Sequence, residues 1–219
     1  MNSLITKPGV HILILLGAIA SFVFFQFFYP YHLFYQEQNQ LFLFSWDYIT
    51  TYLDKPGWLA CLTGDFLTQF YYYRFAGPTI LTLSILMAGY NVRCGVEDTD
   101  IKGTWIPYTI AIAVMTMLAC FSFHYDYRLS SIIAVAGGAN VFRFSTKILV
   151  STRMFVKKLE SLAEQHTSLD GTRLPQWITA FSIFTSMLVC HWFFGCGMWV
   201  YAALVLLGCI KYINKPGNY

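Results

Sequence analysis

Hydrophobic residues in this chain gather into long unbroken runs, and the polar residues fall mostly between the runs. Apolar runs cover residues 10–28, 77–92, 104–123 and 129–149. A last stretch, 177–210, is too long for one crossing and divides near Phe194, Gly195, Cys196 and Gly197 into arms at 176–193 and 197–211. Each run approaches the length a helix needs to cross the hydrocarbon layer of a bilayer, about 30 Å. The first is read as a retained span and not a signal peptide, because residues 22–28 offer no small-residue cleavage site. The pattern therefore predicts an all-α fold: a polytopic membrane helix bundle of about six transmembrane helices, making a single domain over residues 1–219. Pro78 fits the first turn of the second span.

Two segments between the runs have a pattern of their own. Residues 29–74 form a long loop crowded with rings, and aromatic bodies of this density suit the headgroup region of a bilayer. Within it, Ser45 is placed to cap a short helix carrying Trp46, Ile49 and Leu53 on one side. Asp54, Lys55, Pro56 and Gly57 read as a turn. A second amphipathic helix should then show Leu59, Leu62, Phe66, Phe70 and Tyr73 on its apolar stripe, with Asp65, Thr68, Gln69 and Tyr72 around it. Two such helices are expected to lie flat on the membrane surface and roof a cavity at headgroup level. Residues 150–175 are the second such segment, an amphipathic extension on the cytoplasmic leaflet.

Composition agrees with the pattern. The chain is 57% hydrophobic and 11% charged, against about a quarter charged in soluble domains. The net charge of +3 comes from isolated bases between apolar runs, which excludes the basic stripe of a nucleic-acid binder. The distribution of the bases matters more. Eleven of the fourteen lysines and arginines fall in the segments grouped with the N-terminus, and only Lys55, Arg74 and Arg128 fall on the other side. That bias predicts a membrane protein with both termini in the cytoplasm and the aromatic loop outside. The six cysteines show no metal-ligand spacing, so neither a metal nor any cofactor is expected.

Candidate chemistry concentrates in the outer loop. Glu37 stands in an amide cluster with Gln36, Gln38 and Gln40, groups that hydrogen-bond sugar hydroxyls. The competing reading is a polar stretch where the chain leaves the bilayer. Asp65 is the other outer carboxylate placed to act as a base. Arg74 and Arg128 could hold a lipid phosphate or simply anchor helix ends at the interface. His124 and Asp126, in the short turn after the third span, could face Glu37 across a cavity. Arg143 and Lys147 are expected to extend toward the interface. Small residues at 134–139 would let another helix approach closely, the mark of a subunit with a membrane-protein partner. An enzyme, a non-enzymatic subunit and a transporter of lipid or solute stay open on these grounds.

The runs Tyr29-Pro30-Tyr31-His32-Leu33-Phe34-Tyr35-Gln36-Glu37-Gln38-Asn39-Gln40-Leu41-Phe42-Leu43-Phe44 and Gly64-Asp65-Phe66-Leu67-Thr68-Gln69-Phe70-Tyr71-Tyr72 resemble an uncharacterised family of bacterial multi-pass membrane proteins. The resemblance is closest over the first 90 residues. It implies no activity, and it implies longer members, so that this chain would be a truncated or split version. The order of a first span, a long outer loop with an acidic residue, and a second span is also similar to the start of the GT-C glycosyltransferases. That likeness implies a polyprenyl-phosphate-linked sugar as substrate, membrane lipids around it, and Glu37 or Asp65 as the base activating the acceptor.

Overall fold

The computed structural model describes residues 7–39, 42–99, 105–163 and 176–213. Among the described residues there are nine α-helices and no strand, so the fold is all-α. Helix α1 (Lys7–Val23) runs into a π-turn (Phe24–Phe28), which the Tyr29 amide closes by donating to the Phe24 carbonyl at 3.1 Å. The chain then bends by 76° into α2 (Pro30–Asn39). Proline suits that first position because its missing N–H would have no intrahelical partner there. Helices α3 (Trp46–Leu53) and α4 (Trp58–Thr68) and a 3₁₀ turn (Gln69–Tyr72) complete the cap. After it come α5 (Ala76–Asp98), α6 (Ile106–Phe121), α7 (Leu129–Ala163), α8 (Gln176–Phe194) and α9 (Gly197–Ile213).

Helices α5 and α7 form the spine, since both contribute to each of two buried clusters. One gathers Phe25, Leu33 and Tyr71 from the first part of the chain with Leu81 and Ile85 of α5, Leu118 of α6 and Ile132 of α7. The other joins Val92 and Val96 of α5 and Phe142 of α7 to Cys190, Tyr201 and Leu204 of α8 and α9. The expected small-residue stretch on α7 does admit a close neighbour, and that neighbour is this chain's own α9. A Cβ on Gly138 would run into the Gly197 carbonyl, and one on Gly197 would run into the Ala134 carbonyl. The face proposed for a partner is thus filled from within.

The cap is fixed to the bundle by a second close approach. Gly57, in the turn between α3 and α4, and Gly195, in the turn between α8 and α9, both have positive φ, +80° and +52°. A Cβ on Gly57 would lie 3.1 Å from the Gly195 backbone, and the Gly57 amide donates to the Trp192 carbonyl at 2.8 Å. Only glycine supplies both that conformation and that proximity without strain. Ser45 caps α3 as its sequence suggests, its hydroxyl accepting from the Tyr48 amide at 3.3 Å.

Helix α4 turns toward the bundle the side that its pattern marks as polar. Its buried residues are Ala60, Gly64, Asp65 and Thr68, while Leu59, Leu62 and Phe66 are only half-buried. The reason is steric. Helix α4 lies so close on α7 that a Cβ at Gly64 would come within 2.8 Å of Ser130, so the small and polar side must face inward. Apolar side chains are then left on the outside.

Among the described residues two helices are long and apolar enough to cross a membrane, α5 and the Leu129–Ser151 part of α7. The bent pair Ile14–Phe28 and Pro30–Gln38 would make a third. Helix α6 and the Thr179–Phe194 and Gly197–Cys209 segments are shorter apolar helices. Large apolar side chains, among them Leu15, Leu83, Met87, Phe181 and Leu206, stand exposed along α1, α5, α8 and α9. An exterior of that kind is compatible with a lipid surround. Helix α5 continues past the expected limit at 92 to Asp98, carrying an Arg93–Glu97 ion pair at 2.9 Å. Arg143, midway along α7, reaches Asp98 at the end of α5 at 3.3 Å and so ties the two spine helices together. The segment read as a separate extension from residue 150 is continuous with α7 through Ala163, and residues 164–175 lie outside the described ones.

Candidate functional site

Helix α2 turns two chemically different faces. Pro30, Leu33, Phe34 and Glu37 recur at the i, i+3, i+4, i+7 spacing of one helical face, while His32 and Gln36 share another. The His32–Gln36 face packs inward. The Gln36 amide nitrogen donates to the Tyr127 carbonyl at 2.8 Å and lies 3.2 Å from His32 Nε2. Tyr125 sets its ring 4.9 Å from the His32 ring and 5.3 Å from that of Tyr35. Burial pushes the His32 pKa down, against a smaller upward effect of the Ser122 backbone, so its imidazole is neutral at physiological pH.

The other face borders a cavity of about 320 Å³ whose wall includes Gln26, Leu33, Phe34, Tyr71 and Arg74. Gln26 and Tyr71 are 6% and 2% exposed, and among the described residues neither the Gln26 Oε1 nor the Tyr71 hydroxyl has a hydrogen-bond partner. Burial pushes the Tyr71 hydroxyl up, so it stays protonated and available as a donor. Arg74 stands exposed at the rim with its guanidinium over the Phe75 ring. Phe25, buried, also borders a second cavity of about 380 Å³ between α1, α5 and α6. That second wall is apolar except for hydroxyls such as those of Ser21 and Thr82, which also lack partners among the described residues.

The residues picked out from the sequence separate clearly against this geometry. Glu37 is half-buried and continues the cavity-lining face of α2 by one turn, and Arg74 is part of the cavity wall. Gln36 is turned inward to hold the turn between α6 and α7, and Gln38 is exposed. Gln40 lies outside the described residues. Asp65 is buried and accepts from the Tyr52 hydroxyl at 2.7 Å, and Tyr48 hydrogen-bonds Tyr52 in turn. Burial and the adjacent Asp65 push the Tyr52 hydroxyl well up, keeping it a donor. His124, Asp126 and Arg128 are exposed. The α6–α7 turn does meet α2, but through Tyr125 and the Tyr127 carbonyl and not through His124 or Asp126. Sequence reasoning missed Gln26 and the hydroxyl of Tyr71. The signal for the first was present: one amide amid the rings of Phe24, Phe25, Phe27 and Phe28.

Among the described residues no three histidines, cysteines or carboxylates come together as metal ligands. What the arrangement offers is a guanidinium, a phenol and an amide around one cavity, a carboxylate one turn beyond, and an apolar slot behind. No curated protein and no solved structure matches this chain. A family model does match, over residues 5–219 and so well beyond the first 90 residues, and the chain belongs to that family, described as a family of unknown function (DUF6057).

Proposed function

We propose that this protein acts at the outer face of a bacterial inner membrane on the headgroup of a lipid, in its sharpest form as a GT-C-like transferase using a polyprenyl-phosphate-linked sugar. In this reading the six apolar helices cross the bilayer with both termini in the cytoplasm, and the α2–α4 cap roofs the site. The observation that carries it is the single face of α2 on which Pro30, Leu33 and Phe34 line the cavity and Glu37 follows one turn later. Glu37 is the base that takes the acceptor proton, and Arg74 is the cation nearest the departing phosphate. Asp65 is the less well placed carboxylate for that role, being buried and already accepting from the Tyr52 hydroxyl. We favour this over a subunit docking through residues 134–139, because Ala134 and Gly138 already pack against Gly197 of α9.

The test is complementation of a deletion strain, read as its profile of lipid-linked sugars and surface glycans by mass spectrometry. Glu37→Gln keeps the shape and removes the basicity, and it should lower turnover about 10²–10⁴-fold, the usual contribution of a general base. Full complementation by this variant ends the transferase reading.

A further inference from the structure

We propose that the two cavities flanking Phe25 are one binding site for a single lipid phosphate ester. The phosphate and its hydroxylated substituent occupy the outer cavity, and the hydrocarbon tail lies in the slot between α1, α5 and α6. This deepens the reading of outer-face lipid chemistry and rests on it for the side of the membrane.

The outer cavity has donors for an anion. Arg74 supplies a guanidinium, Tyr71 belongs to the same cavity wall, and the Tyr71 hydroxyl is a donor without a partner among the described residues. Guanidinium–phosphate contacts are charge-assisted and commonly bidentate. Gln26 adds an acceptor for a ligand hydroxyl through its unpartnered Oε1, or a donor if the amide is turned. Buried polar groups are normally hydrogen-bonded, at a cost of roughly 1–3 kcal/mol when one is not. Two such groups, each more than nine-tenths buried in one cavity wall, therefore mark a place where a polar ligand completes the bonding.

The inner cavity suits a tail and little else. It is walled chiefly by apolar residues and shares Phe25 with the outer one, so head and tail of one molecule can lie on the ring's two sides. Gly17 lies on its wall, and a Cβ added there would meet nothing within 4 Å. Ser21 sits five residues before Gln26, about 7 Å deeper along the helix axis. Its hydroxyl and that of Thr82 are donors without partners among the described residues. At that depth a glycerophospholipid presents ester carbonyls, whereas a polyprenyl phosphate presents none. The same site chemistry thus admits two sources, which those hydroxyls can tell apart.

The full chain, purified in detergent and stripped of lipid, is offered dioleoyl phosphatidylglycerol, dioleoyl phosphatidylcholine and undecaprenyl phosphate, and retained lipid is counted by native mass spectrometry. One molecule of phosphatidylglycerol or of undecaprenyl phosphate should be retained, with phosphatidylcholine at least about tenfold weaker. Arg74→Gln and Tyr71→Phe should each lower retention severalfold or more. Gly17→Phe should fill the slot and lower it at least as much, with an unchanged melting temperature reporting an intact fold, since the added ring enters open space. Ser21→Ala with Thr82→Val should weaken phosphatidylglycerol alone if the ester carbonyls are the partners, and neither lipid if the tail is polyprenyl; either result supports the site. Equal retention of all three lipids, or retention unchanged in Arg74→Gln, Tyr71→Phe and Gly17→Phe alike, overturns it. Because retention is read without turnover, loss of the site and failure of Glu37 as a base give separate results.

Discussion

The Tyr52 hydroxyl donates to Asp65 at 2.7 Å across 13 residues of chain, and this bond ties α3 to α4. Asp65 is only 8% exposed, so a carboxylate deprived of that donor has little water to replace it. Leaving a buried acceptor without its donor costs about 1–3 kcal/mol, and more when the acceptor is charged. Tyr52→Phe should therefore lower the unfolding midpoint in detergent, whereas Asp65→Asn keeps an acceptor for Tyr52 and should cost less. An unchanged midpoint in Tyr52→Phe removes the bond from any account of the cap's stability. Legibility of the site divides along the same lines. A carboxylate is conspicuous wherever it stands, so Glu37 and Asp65 were both visible in the sequence; which one is tied up by a phenol 13 residues away depends on tertiary contact. Gln26 was overlooked because an amide beside four phenylalanines reads as part of a span, and its meaning comes from the empty volume beside it.

At the scale of elements, the glycines divide into those that seat a helix and those that leave room. Gly138 has the Gly197 backbone against it, and backbone atoms yield far less readily than the end of a side chain. Adding one methyl at such a contact forces helices apart at a cost of typically 1–3 kcal/mol, occasionally more. Gly138→Ala should lower the melting temperature in detergent and cut the yield of monodisperse protein. Gly17→Ala on the open side of α1 should be neutral or slightly stabilising, because alanine is the better helix former. Equal melting of the two variants would show that α9 does not sit on α7 as described. The helices themselves were legible because apolar runs, Ser45 and the glycine turns speak locally. The facing of α4 was not, since periodicity finds a stripe without saying whether lipid or protein lies against it. Leu59, Leu62 and Phe66 marked the apolar side correctly, but the neighbour that decides burial, Ser130 of α7, stands 66 residues beyond Gly64.

For the whole molecule, the number of crossings decides on which side of the membrane the cap and the C-terminus stand. Helix α5 has 23 residues and α6 and α9 have 16 and 17, so at 1.5 Å per residue the first reaches about 35 Å and the others about 25 Å. The shorter ones fall below the roughly 30 Å hydrocarbon thickness, and local thinning of the bilayer can meet that mismatch at modest cost. If α5 through α9 all cross, five crossings separate Asp54 in the cap from the C-terminus, and the two lie on opposite sides. If only α5 and α7 cross, two crossings separate them, and they lie on the same side. Alkaline phosphatase inserted after Asp54 is active only outside the cytoplasm, and green fluorescent protein at the C-terminus is bright only inside it. The eleven-to-three division of lysine and arginine favours the first arrangement, with an active phosphatase and a bright C-terminus in the same chain. Active phosphatase with a dark C-terminus would mean an even number of crossings after the cap, so that at least one of the short helices α6, α8 and α9 is only a partial insertion, and would put the basic tail on the same side as the proposed site.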